Sequence, residues 1–486
     1  MNTITENTNL FNNYTNYIYE VQEYETVIDN PSCKYILFNP SIHYWMALDD
    51  IGLTIYKEIN ANNNIGIVKQ NLINKFSINE SIFKEDVLPF IITLLENNFL
   101  SYNESLKEAA WMSKPVNIEE ISKYPFCDIY ISLTDKCNLN CIYCYNKKIR
   151  TNRINNEYST KISSDSIIKL LTEFRSLGGQ RVVFTGGEPF LNNEIIELCE
   201  SSKGIGLKVN IITNGTLLHN IDLARLFDSI DGLGISLDSV DDKVNSTLWG
   251  STSDNLLHNI LQSLDKINTL AKRKKVNLTL MPVVSRLNVN SIEKLILTAQ
   301  EKLEQCELNW NLTRYETFGN KEVDELLWIS EDEYISSIAK SIQNTYIKNE
   351  AANILDKDKI NTRINSFAFS SSGKFLPPKS PKFITCIPSF FVSNSGDVYP
   401  CQGFEKDCYS YKLGNIIESS LEELFHKEIF KDIRTKILVN NVEICSECEF
   451  RFVCTNKCIA NPDINHKDIN TCRKMIVQRL YLETQL

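Results

Sequence analysis

The stretch KCNLNCIYCYNK, residues 136–147, holds three cysteines with the spacing C-x3-C-x2-C and an aromatic residue, Tyr143, directly before the last. It follows CDIYISLT, residues 127–134, an alternating apolar run that reads as a strand, so the cysteines lie on the loop leaving that strand. Thiolates favour iron-sulfur clusters, zinc and copper(I). Three thiolates on a four-iron cubane leave one iron open for another ligand, whereas a structural zinc site would need a fourth ligand from elsewhere in the chain.

Outward from that loop, strand and helix alternate to about residue 315. The strand candidates after the first are RVVFT (181–185), KVNIIT (208–213), GLGISLD (232–238), VNLTLMPVV (276–284) and LNWNLTRY (308–315). Between the first two, SSDSIIKLLTEFRSLGG has a serine cap, apolar residues at helical spacing and a glycine stop. This alternation predicts a parallel α/β sheet, open or curled into a partial barrel, with functional groups on the loops after strand C-termini.

The C-x3-C-x2-C triplet resembles the signature of the radical S-adenosylmethionine (SAM) superfamily. The resemblance implies that Cys137, Cys141 and Cys144 bind a 4Fe-4S cluster whose open iron chelates SAM, and that reductive cleavage then gives a 5'-deoxyadenosyl radical. The second strand ends in TGGEPF, where glycines let backbone approach a ligand and Glu188 can accept charge-assisted hydrogen bonds. Gly186, Gly187, Glu188 and Pro189 match the family's loop for the methionine amine, and together the two motifs favour the radical enzyme over zinc. TNGT after the third strand and ISLDS at the fourth resemble segments near ribose and methionine, making Asn214, Ser236 and Asp238 candidates beside Tyr143. Relatives often carry Arg-Gly shortly after the fourth strand, close to the cofactor carboxylate; here STLWGS places Trp249 before Gly250.

Seven cysteines near the C-terminus form a second pattern: Cys386, Cys401, then Cys445, Cys448, Cys454 and Cys458 as C-x2-C-x5-C-x3-C, and Cys472. It resembles the SPASM extension of radical enzymes that modify peptides and proteins. By that resemblance Cys386, Cys401 and Cys458 bind one auxiliary 4Fe-4S cluster, and Cys445, Cys448, Cys454 and Cys472 another, three clusters in all. The first auxiliary cluster then has an open iron able to take a substrate thiolate, or Cys408 closes it; paired zinc knuckles are the bland alternative. Cys33, Cys127, Cys199 and Cys306 fit no cluster pattern and read as buried small hydrophobes.

Residues 34–103 read as two or three strands and then helices, with Asp49 or Asp50 as a cap and Pro89 in the first turn of the last helix or kinking it. This outline is winged-helix-like and resembles the precursor-peptide recognition domain of enzymes that process ribosomally made peptides. Such domains add a leader peptide as a strand to a sheet edge.

Composition narrows the classes. A chain of 486 residues bounds a protein of roughly three domains. The net charge of -10 opposes nucleic-acid binding, and the one dense basic run, AKRKKV at 271–276, reads as a solvated helix end. Neither an export signal nor a long apolar run is found, so we expect a cytoplasmic protein with no membrane partner, in which fifteen cysteines serve metal or redox chemistry.

The expected organisation is a recognition domain over 1–110, a partial (β/α)6 barrel over 124–318, a helical bridge and linker over 319–383 and the SPASM domain over 384–486. The expected activity is modification of a precursor peptide with a leader, by thioether formation from cysteine to carbon, with an electron donor such as flavodoxin or ferredoxin. Carbon-carbon cross-linking is the nearest rival. Sulfatase maturation is more distant, because Gln402 stands where those relatives carry an Asp after the second cysteine. A non-catalytic iron-sulfur regulator using the winged helix on DNA is opposed by the acidic charge and the TGGEPF loop.

Overall fold

The computed structural model describes residues 5–11, 16–20, 34–40, 44–97, 99–101, 128–144, 146–147, 151, 161–251, 253, 255–316 and 320–330, parts of 333–345, then 367–368, 389–405, 411–430, 432, 446, 448–450, 469–470, 472–474 and 476–477.

The N-terminal unit opens with an antiparallel sheet in the order β1 (Tyr17–Glu20), β2 (Tyr35–Asn39), β3 (Tyr44–Leu48). Helices α1 (Asp50–Asn62) and α2 (Ile65–Phe76) follow. Asp49 caps α1, its carboxylate accepting from Gly52 N at 2.6 Å, and Asn64 caps α2 in the same way. A short turn Glu80–Ile82 and a π-helical turn Phe83–Val87 then lead into α3 (Leu88–Glu96). Pro89 sits in the first turn of α3, where its missing N–H costs little. The sheet is apolar on both faces. Leu37 and Leu48 join the core under the helices, while Ile36 and Phe38 on the opposite face pack with Cys448, Phe450, Ile476 and Val477.

The central sheet follows the predicted alternation. Its strands are β4 (Asp128–Ser132), β5 (Arg181–Thr185), β6 (Lys208–Thr213), β7 (Gly232–Ile235), β8 (Asn277–Leu280) and β10 (Glu307–Asn311), each parallel to its neighbour. Between them lie α4 (Ser164–Ser176), α5 (Ile195–Gly204), α6 (Leu223–Ser229), α7 (Asp242–Trp249), α8 (Leu256–Ala271) and α9 (Ile292–Lys302). The VNLTLMPVV run splits at Met281 and Pro282: β8 ends, and the short β9 (Val283–Val284) pairs instead with β11 (Thr313–Arg314).

Strand alternation decides between an open sheet and a curled one. Ile129, Ile131, Val182, Phe184, Val209, Ile211, Leu233, Ile235, Leu278, Leu280, Leu308 and Trp310 all enter one core with the helices. Helices therefore cover a single face, the arrangement of a partial barrel rather than a doubly wound sheet. The other face carries small and polar residues such as Asn210, Gly232, Gly234, Thr279 and Asn309.

The sheet also extends beyond its six strands. Beside β10 lies β12 (Phe367–Ala368), and on the other edge β13 (Phe390–Val392) pairs parallel to β4, followed by antiparallel β14 (Asp397–Tyr399) and β15 (Gly414–Asn415). The C-terminal cysteine region thus begins as an edge of the barrel sheet, and most of the expected linker before it, residues 346–366 and 369–383, lies outside the described residues. The basic run after α8 is paired with acids, Lys274 with Asp228 at 2.5 Å and Lys275 with Glu307 at 2.9 Å. Among the described residues no helix is long and apolar enough to cross a membrane.

Candidate functional site

The loop carrying Cys137, Cys141 and Cys144 leaves the C-terminal end of β4, where α/β folds gather chemistry. Its backbone is strapped on both sides. Leu133 N donates to Thr185 O at 2.9 Å, Gly187 N to Thr134 O at 2.7 Å and Glu188 N to Lys136 O at 2.9 Å. On the far side Asn140 N donates to Trp249 O at 3.0 Å and Ile142 N to Leu248 O at 2.9 Å. Gly186 adopts φ +141°, and a Cβ there would meet Thr134 O at 2.5 Å, so the glycine permits the close approach. Gly250, at φ +55°, plays the same part against Asn140 O.

All three cysteines are half-buried, and Cys141 feels the charges of both others. Burial, with Asp238 and the two neighbouring thiolates, holds its thiol well above the ordinary range. Among the described residues, no three of His, Cys, Asp or Glu are gathered closely enough to hold one metal ion.

Glu188 is fully buried, and its carboxylate accepts from Thr213 Oγ1 at 2.7 Å, Asn214 N at 2.9 Å and Phe190 N at 3.1 Å. Burial raises its pKa, and these three donors act against the rise. Pro189 opens the 3-10 turn Pro189–Leu191 that Glu188 caps. Asn214 sits over the first cysteine: its Nδ2 lies 3.9 Å from Cys137 Sγ and donates to Asn138 Oδ1 at 2.9 Å. Ser236 is half-buried just past β7, its N–H bonded to Thr213 O at 2.9 Å.

Asp238 is fully buried and already engaged by protein. Tyr143 Oη donates to its Oδ2 at 2.6 Å, Trp249 Nε1 to the same oxygen at 2.9 Å and Val283 N to Oδ1 at 2.8 Å. Burial raises the Asp238 pKa against those three donors. The aromatic residue of the cysteine motif and the tryptophan that stands in the Arg-Gly position thus meet on one carboxylate. Trp249 is 2% exposed and braces the cysteine loop from behind. Sequence reasoning missed this role, because nothing local tells an indole that replaces a guanidinium which acceptor it will find.

Of the C-terminal cysteines, Cys401 follows β14 and packs with Tyr130, Phe391, Tyr399 and Phe404. Cys448 is buried against the N-terminal sheet, and Cys472 is half-buried. Cys386, Cys408, Cys445, Cys454 and Cys458 lie outside the described residues, as do Cys33 and Cys127. Cys199 and Cys306 are buried in the barrel's helix-side core, as expected of small hydrophobes.

Comparison with known proteins agrees with this geometry. The family description "Radical SAM superfamily" matches residues 131–298, and "Iron-sulfur cluster-binding domain" (SPASM) matches 386–449. A GTP 3',8-cyclase of Clostridium acetobutylicum is 51% identical over 65 residues, which cover 13% of this chain and 19% of that protein. The matched stretch is thus about a fifth of the cyclase's length. An uncharacterized protein of Archaeoglobus fulgidus is 27% identical over 385 residues, 75% of this chain and 83% of its own. Among solved structures, Streptococcus suis SuiB bound to S-adenosylmethionine superposes with a TM-score of 0.51 at 16% identity, covering 96% of this chain and 97% of SuiB. Native anSMEcpe with bound AdoMet gives 0.51 at 20% identity over 74% and 98%. At these identities the likeness is one of fold. The chain therefore has an α/β radical SAM fold with a SPASM iron-sulfur cluster-binding domain at its C-terminal end.

Proposed function

We propose that the chain is a radical SAM maturase that modifies a ribosomally made precursor peptide, with thioether formation from cysteine to carbon as the preferred outcome. The observation that carries this reading is the cysteine loop at the barrel mouth, braced by the Gly186–Glu188 turn on one side and by residues 248–250 on the other. By the C-x3-C-x2-C resemblance, Cys137, Cys141 and Cys144 on that loop would hold a 4Fe-4S cluster, each thiolate on a different iron. When bound, cluster and SAM supply a 5'-deoxyadenosyl radical that takes a hydrogen atom from the substrate.

The chain's own residues orient and shield. Asn214 and Asn138 fix the side of the loop at Cys137, while Tyr143 and Trp249 fix it through Asp238. By the same resemblance Gly186, Gly187, Glu188 and Pro189 would face the methionine end of SAM, with Ser236 a further candidate; in the protein alone Gly187 N and Glu188 N hold the stretch just before Cys137. Helices and apolar side chains seal the outer face of the sheet, keeping solvent from one side of the site. Peptide as the substrate class is supported by anSMEcpe, captured with AdoMet and the Kp18Cys peptide, which superposes at a TM-score of 0.50 and 18% identity over 74% of this chain and 97% of its own. It is also supported by the antiparallel N-terminal sheet, whose outer strands among the described residues are β1 and β3, since an edge strand is where a peptide strand adds. Three 4Fe-4S clusters, a flavodoxin or ferredoxin donor and a cytoplasmic setting belong to the same reading.

The test is anaerobic reconstitution followed by SAM and a strong reductant, alone and with a cysteine-containing precursor peptide. Production of 5'-deoxyadenosine and a peptide lighter by two hydrogens per cross-link are expected, both lost on Cys141→Ala. Intact SAM with a fully iron-loaded protein would overturn the reading. Cleaved SAM with an unchanged peptide mass would remove the cross-linking chemistry and leave the radical enzyme.

A further inference from the structure

The cysteine loop is flanked by two buried polar residues, Asp135 two positions before Cys137 and Asn146 two positions after Cys144; they are 6% and 8% exposed. Both reach the C-terminal segment around Cys401. Asn394 Nδ2 donates to Asp135 Oδ2 at 3.3 Å, and Asn146 Nδ2 donates to Glu405 Oε2 at 2.9 Å. Asn394 lies between β13 and β14, and Glu405 lies four residues after Cys401. The hairpin is held in place by β13, paired with β4 as Phe390 with Ile129, Phe391 with Tyr130 and Val392 with Ile131. Tyr130 meanwhile packs against Cys401, Phe391, Tyr399 and Phe404.

The second of these contacts is the stronger. Glu405 is 1% exposed, and a carboxylate at that depth is costly where an apolar side chain of the same size would cost nothing. Asn146 commits its amide N–H to that carboxylate, although its own Oδ1 is then buried with no partner among the described residues. The pair spans 259 positions in sequence and joins the exit of the first cysteine loop to the segment that follows Cys401.

We propose that Glu405, acting through Asn146, is a positioning residue for the 137–144 loop, so that cluster retention at the barrel mouth depends on a carboxylate of the C-terminal domain. The inference rests on the reading that Cys137, Cys141 and Cys144 hold a cluster. Glu405 touches neither SAM nor substrate in this account. It fixes where the loop ends, as outer partners of metal ligands do.

The experiment uses the full chain, reconstituted anaerobically, as wild type, Glu405→Ala, Glu405→Gln, Asn146→Ala and the Asn146→Ala/Glu405→Ala double variant. Two quantities are read: iron per chain, and the electron paramagnetic resonance signal of the reduced protein that changes on adding SAM. Glu405→Ala and Asn146→Ala should each retain the SAM-responsive cluster about tenfold less well, in line with the loss of an outer-shell partner. The signal that does not respond to SAM should be unchanged. Glu405→Gln keeps an acceptor for Asn146 and should restore retention, and the double variant should be no worse than either single one. Asn146→Ala leaves the C-terminal segment intact, so it decides the matter if Glu405→Ala fails to fold. A wild-type SAM-responsive signal in Asn146→Ala, or two single effects that add, would overturn the inference. Wild-type protein with no SAM-responsive signal, matching Cys137→Ala, would instead overturn the cluster reading and this inference with it.

Discussion

At Asp238, three donors converge on one buried carboxylate, and two of them are Tyr143 from within the cysteine loop and Trp249 from the segment that braces it. Trp249→Phe keeps the ring and removes one N–H, leaving the carboxylate with a donor fewer. The expected cost is about 1–3 kcal/mol in chemical denaturation, and an unchanged midpoint would show that the bond does not brace the loop. Glu188 gives a pH signature. Burial raises its pKa, so the native state holds this proton more tightly than the unfolded chain does. The stability it contributes is full below the ordinary glutamate range and is lost as pH rises through the raised value. Glu188→Gln does not titrate there, so its stability relative to wild type should improve as pH rises across that window. A pH-independent difference in urea denaturation would contradict a dry site.

At the scale of elements, the three-stranded N-terminal sheet is covered on both faces, by its own helices and by the segments around 448–450 and 469–477. Phe38 and Phe450 pack at a tilt with ring centroids 4.5 Å apart, and Tyr19 meets Phe450 at 4.9 Å. Tyr19 Oη donates to the Glu449 carboxylate, which also accepts from Arg473 Nη2 at 2.8 Å. Burial and the Glu449 charge push the Tyr19 phenol well above its ordinary range, so it remains a donor. Because Phe450 is fully buried, Phe450→Ala should cost about 3–5 kcal/mol, read as a lowered unfolding midpoint. The local rules for these elements were legible in sequence. The Asp49 cap, the Ser163 cap of α4 and the place of Pro89 follow from residue type and spacing. What β13 would pair with was not legible, since a three-residue strand carries no address for its partner.

For the whole molecule, the two ends of the chain form a layer together. The face made by Tyr19, Ile36, Phe38, Trp45 and Ala47 is sealed by residues from the last forty positions. An isolated fragment 1–110 would present that face to water and should self-associate in sedimentation velocity, whereas the full chain keeps it covered. A monodisperse monomeric fragment would show that the face is tolerated exposed. The same layer sets Cys448 beside the sheet proposed to hold a leader, so the C-terminal cysteine region and the N-terminal unit share one core.

By itself the sequence determined the six parallel strands, the cysteine loop after the first of them and the Gly-Gly-Glu turn after the second. Periodicity, caps and ligand spacing are local properties, written within a few residues of where they act. Only the tertiary structure decided that helices cover one face of the sheet, that Trp249 turns its indole to Asp238, and that Asn146 finds Glu405. Each of those is a choice among many distant partners, made by which groups are desolvated together, and local pattern does not encode it.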